Sequence, residues 1–392
     1  MSLVAAHWRR RQPAAHKLVY MGRTLLIDAI GAVIEIDGSA LSDDGWAAVE
    51  SAWSGANMVT AADPSATVAA HGTVTTGSML ASLSIDVTLA ALKQRAGEVV
   101  LLHAAGLATT DGRVVVLVGP SGRGKTTASR VLGRHFGYVS DESVGIEADG
   151  TVLPYRKPLS IIEDERYLKV QRSPDELGLL PLTGAPLRVA ALVLLERDDS
   201  ARAARMERMD LAEGLVGLAE QASYLARQAR PLGTLLAHIA AAGGVHRATY
   251  GDVATLMPEI ARLAARMPAR PLMPEHSARD RIAASPAITS AWGLRADSAP
   301  TFRRAPVLDA CALADGRLVL LLRHDDHANR VVALDGIAPA IWEAAAQPAT
   351  LEALTAATIA RHGEPPGANA VTVVAASVEE MVREGVLMGD AR

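Results

Sequence analysis

The sequence predicts an α/β domain followed by a small α+β domain, and three observations carry that prediction. Residues 119–127 read Gly-Pro-Ser-Gly-Arg-Gly-Lys-Thr-Thr, entered by the apolar run Val114–Val118 and left by a helix-forming stretch, which is the strand, glycine loop and helix order of a phosphate-binding unit. Apolar runs alternate with helix-like stretches on both sides of that loop, whereas past residue 304 short strands come first and helices second. Between the two, Pro268, Pro271, Pro274, Pro286 and Pro300 stand among Ser, Ala and Arg without sustained periodicity, as in a linker. The predicted division is 1–267, 268–303 and 304–392.

The chain has 392 residues, 49% of them hydrophobic and 21% charged, enough apolar material for substantial cores. Its 39 Lys and Arg against 43 Asp and Glu leave a net charge of −4, with none of the basic excess that a nucleic-acid partner demands. The one short basic cluster near the start, His7-Trp-Arg-Arg-Arg11, reads as a solvated terminus. No apolar run reaches the roughly 18 to 20 residues of a membrane span, and no signal peptide is visible, so a soluble cytoplasmic protein without membrane insertion is expected. Cys311 is the only cysteine and reads as a small core residue.

Gly119, Gly124, Lys125 and Thr126 satisfy the pattern G-x-x-x-x-G-K-[ST]. Gly119, Ser121, Gly122 and Gly124 let successive amides curl towards phosphate oxygens, and the helix starting near Lys125 adds its positive end; Thr127 lies in the same first turn. Lys125 would reach the outer phosphates of a nucleotide, and the Thr126 hydroxyl would ligate Mg2+. Phosphoryl transfer also needs carboxylates. Gly137–Glu142 predicts a short strand ending in Asp141 and Glu142, with Asp141 the first choice for the metal-facing carboxylate and for aligning or deprotonating the acceptor hydroxyl, and Val99–Leu102 predicts another ending in His103, which would orient a phosphate or shuttle a proton. Taken singly, the two acids read as a solvated turn and the histidine as structural.

In order and spacing these pieces resemble the HPr kinase/phosphorylase family, in particular its shorter HPr-kinase-related members. The likeness rests on Leu102-His103-Ala-Ala-Gly106, the loop 119–127, Tyr138-Val-Ser-Asp-Glu142, Pro154-Tyr-Arg-Lys-Pro-Leu159, Ala191–Arg197 and Val245–Asp252, and covers about residues 20–265. It implies an α/β P-loop domain of HPr-kinase type that uses ATP and Mg2+. Lys125 and Thr126 would hold the nucleotide and metal, and His103 and Asp141 would flank the transfer site. Where the family often shows two adjacent aspartates, this chain has Asp141-Glu142, so the second carboxylate reaches one methylene further. The later signature that HPr kinase/phosphorylase carries for phosphate release is not found, which speaks against HPr as substrate and against phosphorylase activity. HPr kinase assembles as a hexamer, so the resemblance extends to a homo-oligomer.

In the tail, Val307–Cys311, Arg317–Leu322 and Asn329–Leu334 predict three strands, the last two flanking the polar turn His324-Asp-Asp-His327. Three helices follow. Ile337, Ile341 and Trp342 mark the first; Leu351, Leu354 and Ile359, between a Thr350 cap and Gly363, the second; and Val371, Val374, Val378, Met381 and Val382 on one face, ending at Gly385, the third. Residues 304–390 resemble the PqqD-like RiPP recognition element, a winged-helix-type domain that captures the leader of a ribosomally made precursor peptide. Leu334–Glu343, Thr350–Leu354 and Val378–Leu387 carry the likeness. It implies that the leader adds as a strand along Arg330, Val331, Val332, Ala333 and Leu334, beside the helix face of Val374, Val378 and Met381. Glu379, Glu380 and Glu384 on that helix speak against the DNA-binding use of a winged helix. A plain dimerisation module is the bland alternative. His324 and His327 lack a third ligand nearby and read as solvated.

Joined, the two resemblances predict a protein of RiPP biosynthesis whose tail grips the leader while the ATP domain phosphorylates a Ser or Thr hydroxyl, tethering raising the local concentration of a floppy substrate. The alternative is a recognition scaffold with a vestigial or regulatory kinase domain that presents the precursor to separate modifying enzymes, as in daptide-like clusters. A third class is a nucleotide sensor unrelated to peptides. In residues 1–95 only strands over Tyr20–Ile36 and a helix over Ser84–Ala96, packing on the nucleotide domain, are expected.

Overall fold

The computed structural model of the chain describes residues 23–56, 62–72, 75–162, 169–265, 299–323 and 330–389. The basic cluster at 7–11, linker residues 268–298 and the turn 324–327 lie outside them. The described residues form a mixed α/β structure with nine α-helices.

Residues 24–94 make a small layer of their own. Strands β1 (Thr24–Ala29) and β2 (Ala32–Asp37) form a hairpin, and β3 (Ala66–Ala69) joins parallel to β2. Helices α1 (Asp43–Ala52) and α2 (Thr76–Gln94), capped by Ser42 and Thr75, pack on it. Ile27, Ile34 and Ile36 alternate inwards against Val49, Leu83 and Val87, the period of two that a half-buried sheet requires. The helix expected over 84–96 thus begins at Thr76, and its core also takes in Leu101 and Tyr155 of the next layer.

The second layer contains, in chain order, β4 (Val100–Ala108), β5 (Arg113–Val118), α3 (Lys125–Leu132), β6 (Gly137–Ser140), β7 (Ser143–Ile146), β8 (Val152–Leu153), β9 (Leu159–Ile162) and β10 (Lys169–Arg172). It continues through β11 (Arg188–Arg197), β12 (Arg205–Arg208), α4 (Leu211–Glu220), β13 (Ala222–Ser223), α5 (Pro231–Ala241), β14 (Val245–Tyr250) and α6 (Met257–Ala265). Nine strands form one sheet in the order β12-β14-β11-β5-β4-β7-β8, with β6 and β13 also on β4, while β9 and β10 pair apart. Strands β5, β11 and β14 run parallel and β4 antiparallel to β5. Buried on both faces, β5 is an unbroken apolar run from Val114 to Val118. The strand expected to end at His103 instead runs on to Ala108, placing His103 inside it. Its small residues let β6 approach: a Cβ on Gly106 would stand 2.9 Å from that of Val139.

The tail holds β15 (Thr301–Arg304), β16 (Val307–Ala312), β17 (Leu318–Leu322), β18 (Arg330–Leu334), α7 (Ala338–Ala344), β19 (Ala349–Thr350), α8 (Leu351–His362), α9 (Ala370–Arg383) and β20 (Leu387–Gly389). Residues 301–303, expected in the linker, belong to β15, which pairs with β19 and β20. The three expected strands form the antiparallel sheet β16-β17-β18. One face carries Leu318, Leu320, Leu322 and Leu334 against Ile341, Trp342, Leu354, Val374, Val378 and Met381. The other carries Val319, Leu321 and Val331 against Leu215, Leu218, Leu232 and Leu235 of α4 and α5. The tail is therefore docked on the preceding layer, and Arg317 adds a two-pronged contact to Asp210 at 2.7 and 2.6 Å. Val371 and Val382, expected on the inward face of α9, are 45% and 37% exposed. No described helix is long and apolar enough to cross a membrane.

Candidate functional site

The site starts where β5 ends. Gly119 is buried, residues 120–123 form an exposed loop, and α3 begins at Lys125. Gly122 and Gly124 adopt φ of +85° and +91°, the left-handed region that side chains avoid. A Cβ on Gly124 would also lie 2.7 Å from the Tyr250 hydroxyl, which donates to the Arg123 carbonyl. Tyr250, at the end of β14, thus fixes the shape of the loop. Ala128 is the first amide to bond back, to the Gly124 carbonyl at 2.8 Å, so the amides of Lys125, Thr126 and Thr127 stay open at the positive end of the helix. Lys125 is 6% exposed and donates to the carbonyls of Gly119 (2.5 Å) and Pro120 (3.0 Å). Burial holds its ammonium down to about 8, against the upward pull of Glu142 and Asp141.

Beyond the loop, β6 delivers the two acids. Thr126 Oγ1 donates to Asp141 Oδ2 at 2.9 Å. The other oxygen, Oδ1, is held by the Tyr138 hydroxyl at 3.1 Å and by Lys157 Nζ at 3.4 Å. Lys157, 2% exposed, also meets Glu142 Oε2 at 2.9 Å and donates to the Pro158 carbonyl at 3.1 Å. Burial alone would depress this ammonium, but Asp141 and Glu142 outweigh it and keep Lys157 above its ordinary range. For Glu142, burial pushes the carboxyl up and Lys157 overrides it, so the net shift is downward. Burial, followed by Asp141, raises Tyr138 well above a normal phenol, which keeps it a hydrogen-bond donor.

His103 stands between the halves. Its carbonyl accepts from the Gly119 amide (3.4 Å), and the next amide, Ala104, donates to the Glu142 carbonyl (3.0 Å). Burial and then the Lys125 charge lower its imidazole, with Glu142 and Asp141 opposing, so the ring is neutral at pH 7.

The structure therefore gathers the loop 119–127, His103, Asp141 and Glu142 into one place. Lys157, Tyr138 and Tyr250 complete it; they lie in stretches that carry the resemblance but none is expected at the site, and a lysine beside Arg156 gives no local sign that it is buried.

The predicted peptide-binding residues form a second place. Val374, Val378 and Met381 are 2%, 1% and 4% exposed, so their side chains are spent on the tail core. Val331 and Leu334 are buried on opposite faces, Arg330 and Val332 are half-buried and Ala333 is exposed. Arg330 pairs with Glu384 across to the end of α9 at 2.5 Å. Among the described residues β17 is the only strand paired with β18, so the edge this strand presents is its outer main-chain side.

Among the described residues no group of three or more His, Cys, Asp and Glu is placed to hold a metal. A Mg2+ bound largely through phosphates needs less: one hydroxyl and one carboxylate oxygen, the pair Thr126 and Asp141 provide. No family model matches the chain, and no curated protein matches it.

Proposed function

We propose that the chain is an ATP-dependent peptide kinase of RiPP biosynthesis, with a tail that holds the precursor's leader and a glycine-loop site that phosphorylates a Ser or Thr hydroxyl. The observation that carries this reading is the 2.9 Å contact of Thr126 Oγ1 with Asp141 Oδ2 beside the open end of α3. A hydroxyl and a carboxylate oxygen side by side at a helix N-terminus support a reading in which they would hold a phosphate-bound Mg2+. Mg·ATP supplies the phosphoryl group and neutralises its charge. The chain's own residues orient and transfer. The amides of 121–127 cradle the polyphosphate and Lys125 is the cation for its outer phosphates. Asp141, anchored on Oδ1 by Lys157 and Tyr138, would hold the metal together with the Thr126 hydroxyl. Glu142, whose side chain is 44% exposed, is the carboxylate open to an acceptor. It takes the proton as the hydroxyl oxygen bonds the γ-phosphorus and the bridge to ADP breaks. Neutral His103 hydrogen-bonds a phosphate oxygen. The outer edge of β18 offers main-chain donors and acceptors to the leader, as in β-augmentation.

A second reading, a leader-binding scaffold with a silent nucleotide domain, is favoured by one observation: Lys125 gives two of its three donors to the carbonyls of Gly119 and Pro120. The test incubates the protein with Mg·ATP and peptides encoded beside its gene, and reads intact peptide mass. A phosphate adduct lost in Lys125→Ala supports the kinase. Leader binding with no adduct and no ATP consumption supports the scaffold.

A further inference from the structure

A cleft of about 650 Å³ runs from the end of β18 to the rim of the glycine loop. Ala333 and Asp335 line it at the end of β18, Pro120 and Arg123 line it at the glycine loop, and α4 packs against β18 along it. From this continuity and from the charge of its walls we infer that the cleft takes an extended peptide segment in which Lys or Arg alternates with apolar residues. The inference rests on the peptide-kinase reading and adds the sequence character of the segment between the leader and the acceptor.

The floor is apolar, with Leu194, Met209 and Val216. Above it, Arg247 faces two carboxylates, Glu196 at 3.5 Å and Glu213 at 3.4 Å, and Arg317 faces Asp210 and Asp315, each at 2.6 Å. Each of these guanidiniums is thus outnumbered. Glu220 and Asp335 add exposed carboxylates that form no ion pair among the described residues. The cation left over, Arg123, stands at the loop, where phosphate would lie. Between β18 and the loop the lining has four carboxylates, Glu196, Glu213, Glu220 and Asp335, against Arg247 and Arg317, so the walls there carry net negative charge, and Arg123 adds a cation at the loop. An extended chain sends successive side chains to opposite sides, so every second residue meets the apolar floor and the others meet the acidic walls.

The experiment titrates the full chain with two fluorescein-labelled peptides of equal length, alternating Lys-Val and alternating Glu-Val, at low salt. The Lys-Val peptide is expected to bind roughly ten-fold or more tightly, and the double reversal Glu220→Lys with Asp335→Lys to remove most of that preference. Both positions are exposed, and an unchanged thermal midpoint shows that the variant is folded. Equal affinity for the two peptides, or an undiminished preference in the double variant, overturns the inference. Mg·ATP binding is measured on the same samples. Its absence strikes the kinase reading, whereas the peptide outcomes alone judge the cleft.

Discussion

Gly122 and Gly124 offer a comparison internal to one loop. Both adopt left-handed backbone, φ +85° and +91°, so replacing either by Ala carries a similar conformational cost of roughly 1–2 kcal/mol. Around a Cβ at Gly122 nothing lies within 4 Å, so the cost there ends with the backbone. At Gly124 the added carbon meets the Tyr250 hydroxyl at 2.7 Å. That hydroxyl must move, and its bond to the Arg123 carbonyl goes with it, worth about 0.5–1.5 kcal/mol more. Gly124→Ala is therefore expected to cost about 2–3 kcal/mol and Gly122→Ala about 1 less. Tyr250→Phe removes the obstructing oxygen and leaves Cζ at an ordinary 3.8 Å. Alone it loses the same hydrogen bond, about 1 kcal/mol; added to Gly124→Ala it should cost almost nothing, because that bond is already broken and the oxygen in the way of the new Cβ is gone. Urea unfolding of the four variants and the parent, followed by circular dichroism, measures these differences. Equal costs at the two glycines, or strict additivity of Gly124→Ala and Tyr250→Phe, would refute the idea that Tyr250 shapes the loop.

Three further outcomes are expected. Lys157→Met strands the carboxylate of Asp141, 2% exposed, and should destabilise by about 3 kcal/mol in the same assay, with Asp141→Asn recovering part of the loss. His238 is buried with Nε2 unpartnered, and burial lowers its pKa despite Asp149. The unfolded chain then binds the proton first, so stability falls as pH drops below 6.5, and His238→Leu should flatten that slope in melts across pH 5 to 7. At the seam between the tail and the preceding layer, Leu321→Ala should cost about 2–4 kcal/mol and lower the thermal midpoint more than Arg317→Ala does, because burial rather than an exposed ion pair holds the tail; thermal unfolding ranks them.

The loop, β5, the start of α3 and the acids after β6 were legible because each is a local pattern: an apolar run, a fixed glycine spacing, a helix opening, a strand ending in carboxylates. Lys157 was not, since only the sheet brings the segment after β8 next to β6. The extent of β4 was missed because Ala104, Ala105 and Gly106 have little strand preference and are kept in the sheet by close packing with Val139. In the tail, five apolar residues without alternation, Leu318–Leu322, announced a strand covered on both sides, a sign that something beyond α7, α8 and α9 must lie against it. A reading of the tail as tethered overlooked that second cover, which α4 and α5 supply. On α9, Val382 lies about 100° around the helix from Met381, so it falls off the buried stripe.

Calorimetric titration of the full chain with Mg·ATP tests the central claim most directly. The account predicts a saturable one-site heat that disappears in Lys125→Ala and weakens in Gly124→Ala. No heat with any purine nucleotide, or the same heat from the Lys125→Ala protein, would contradict it.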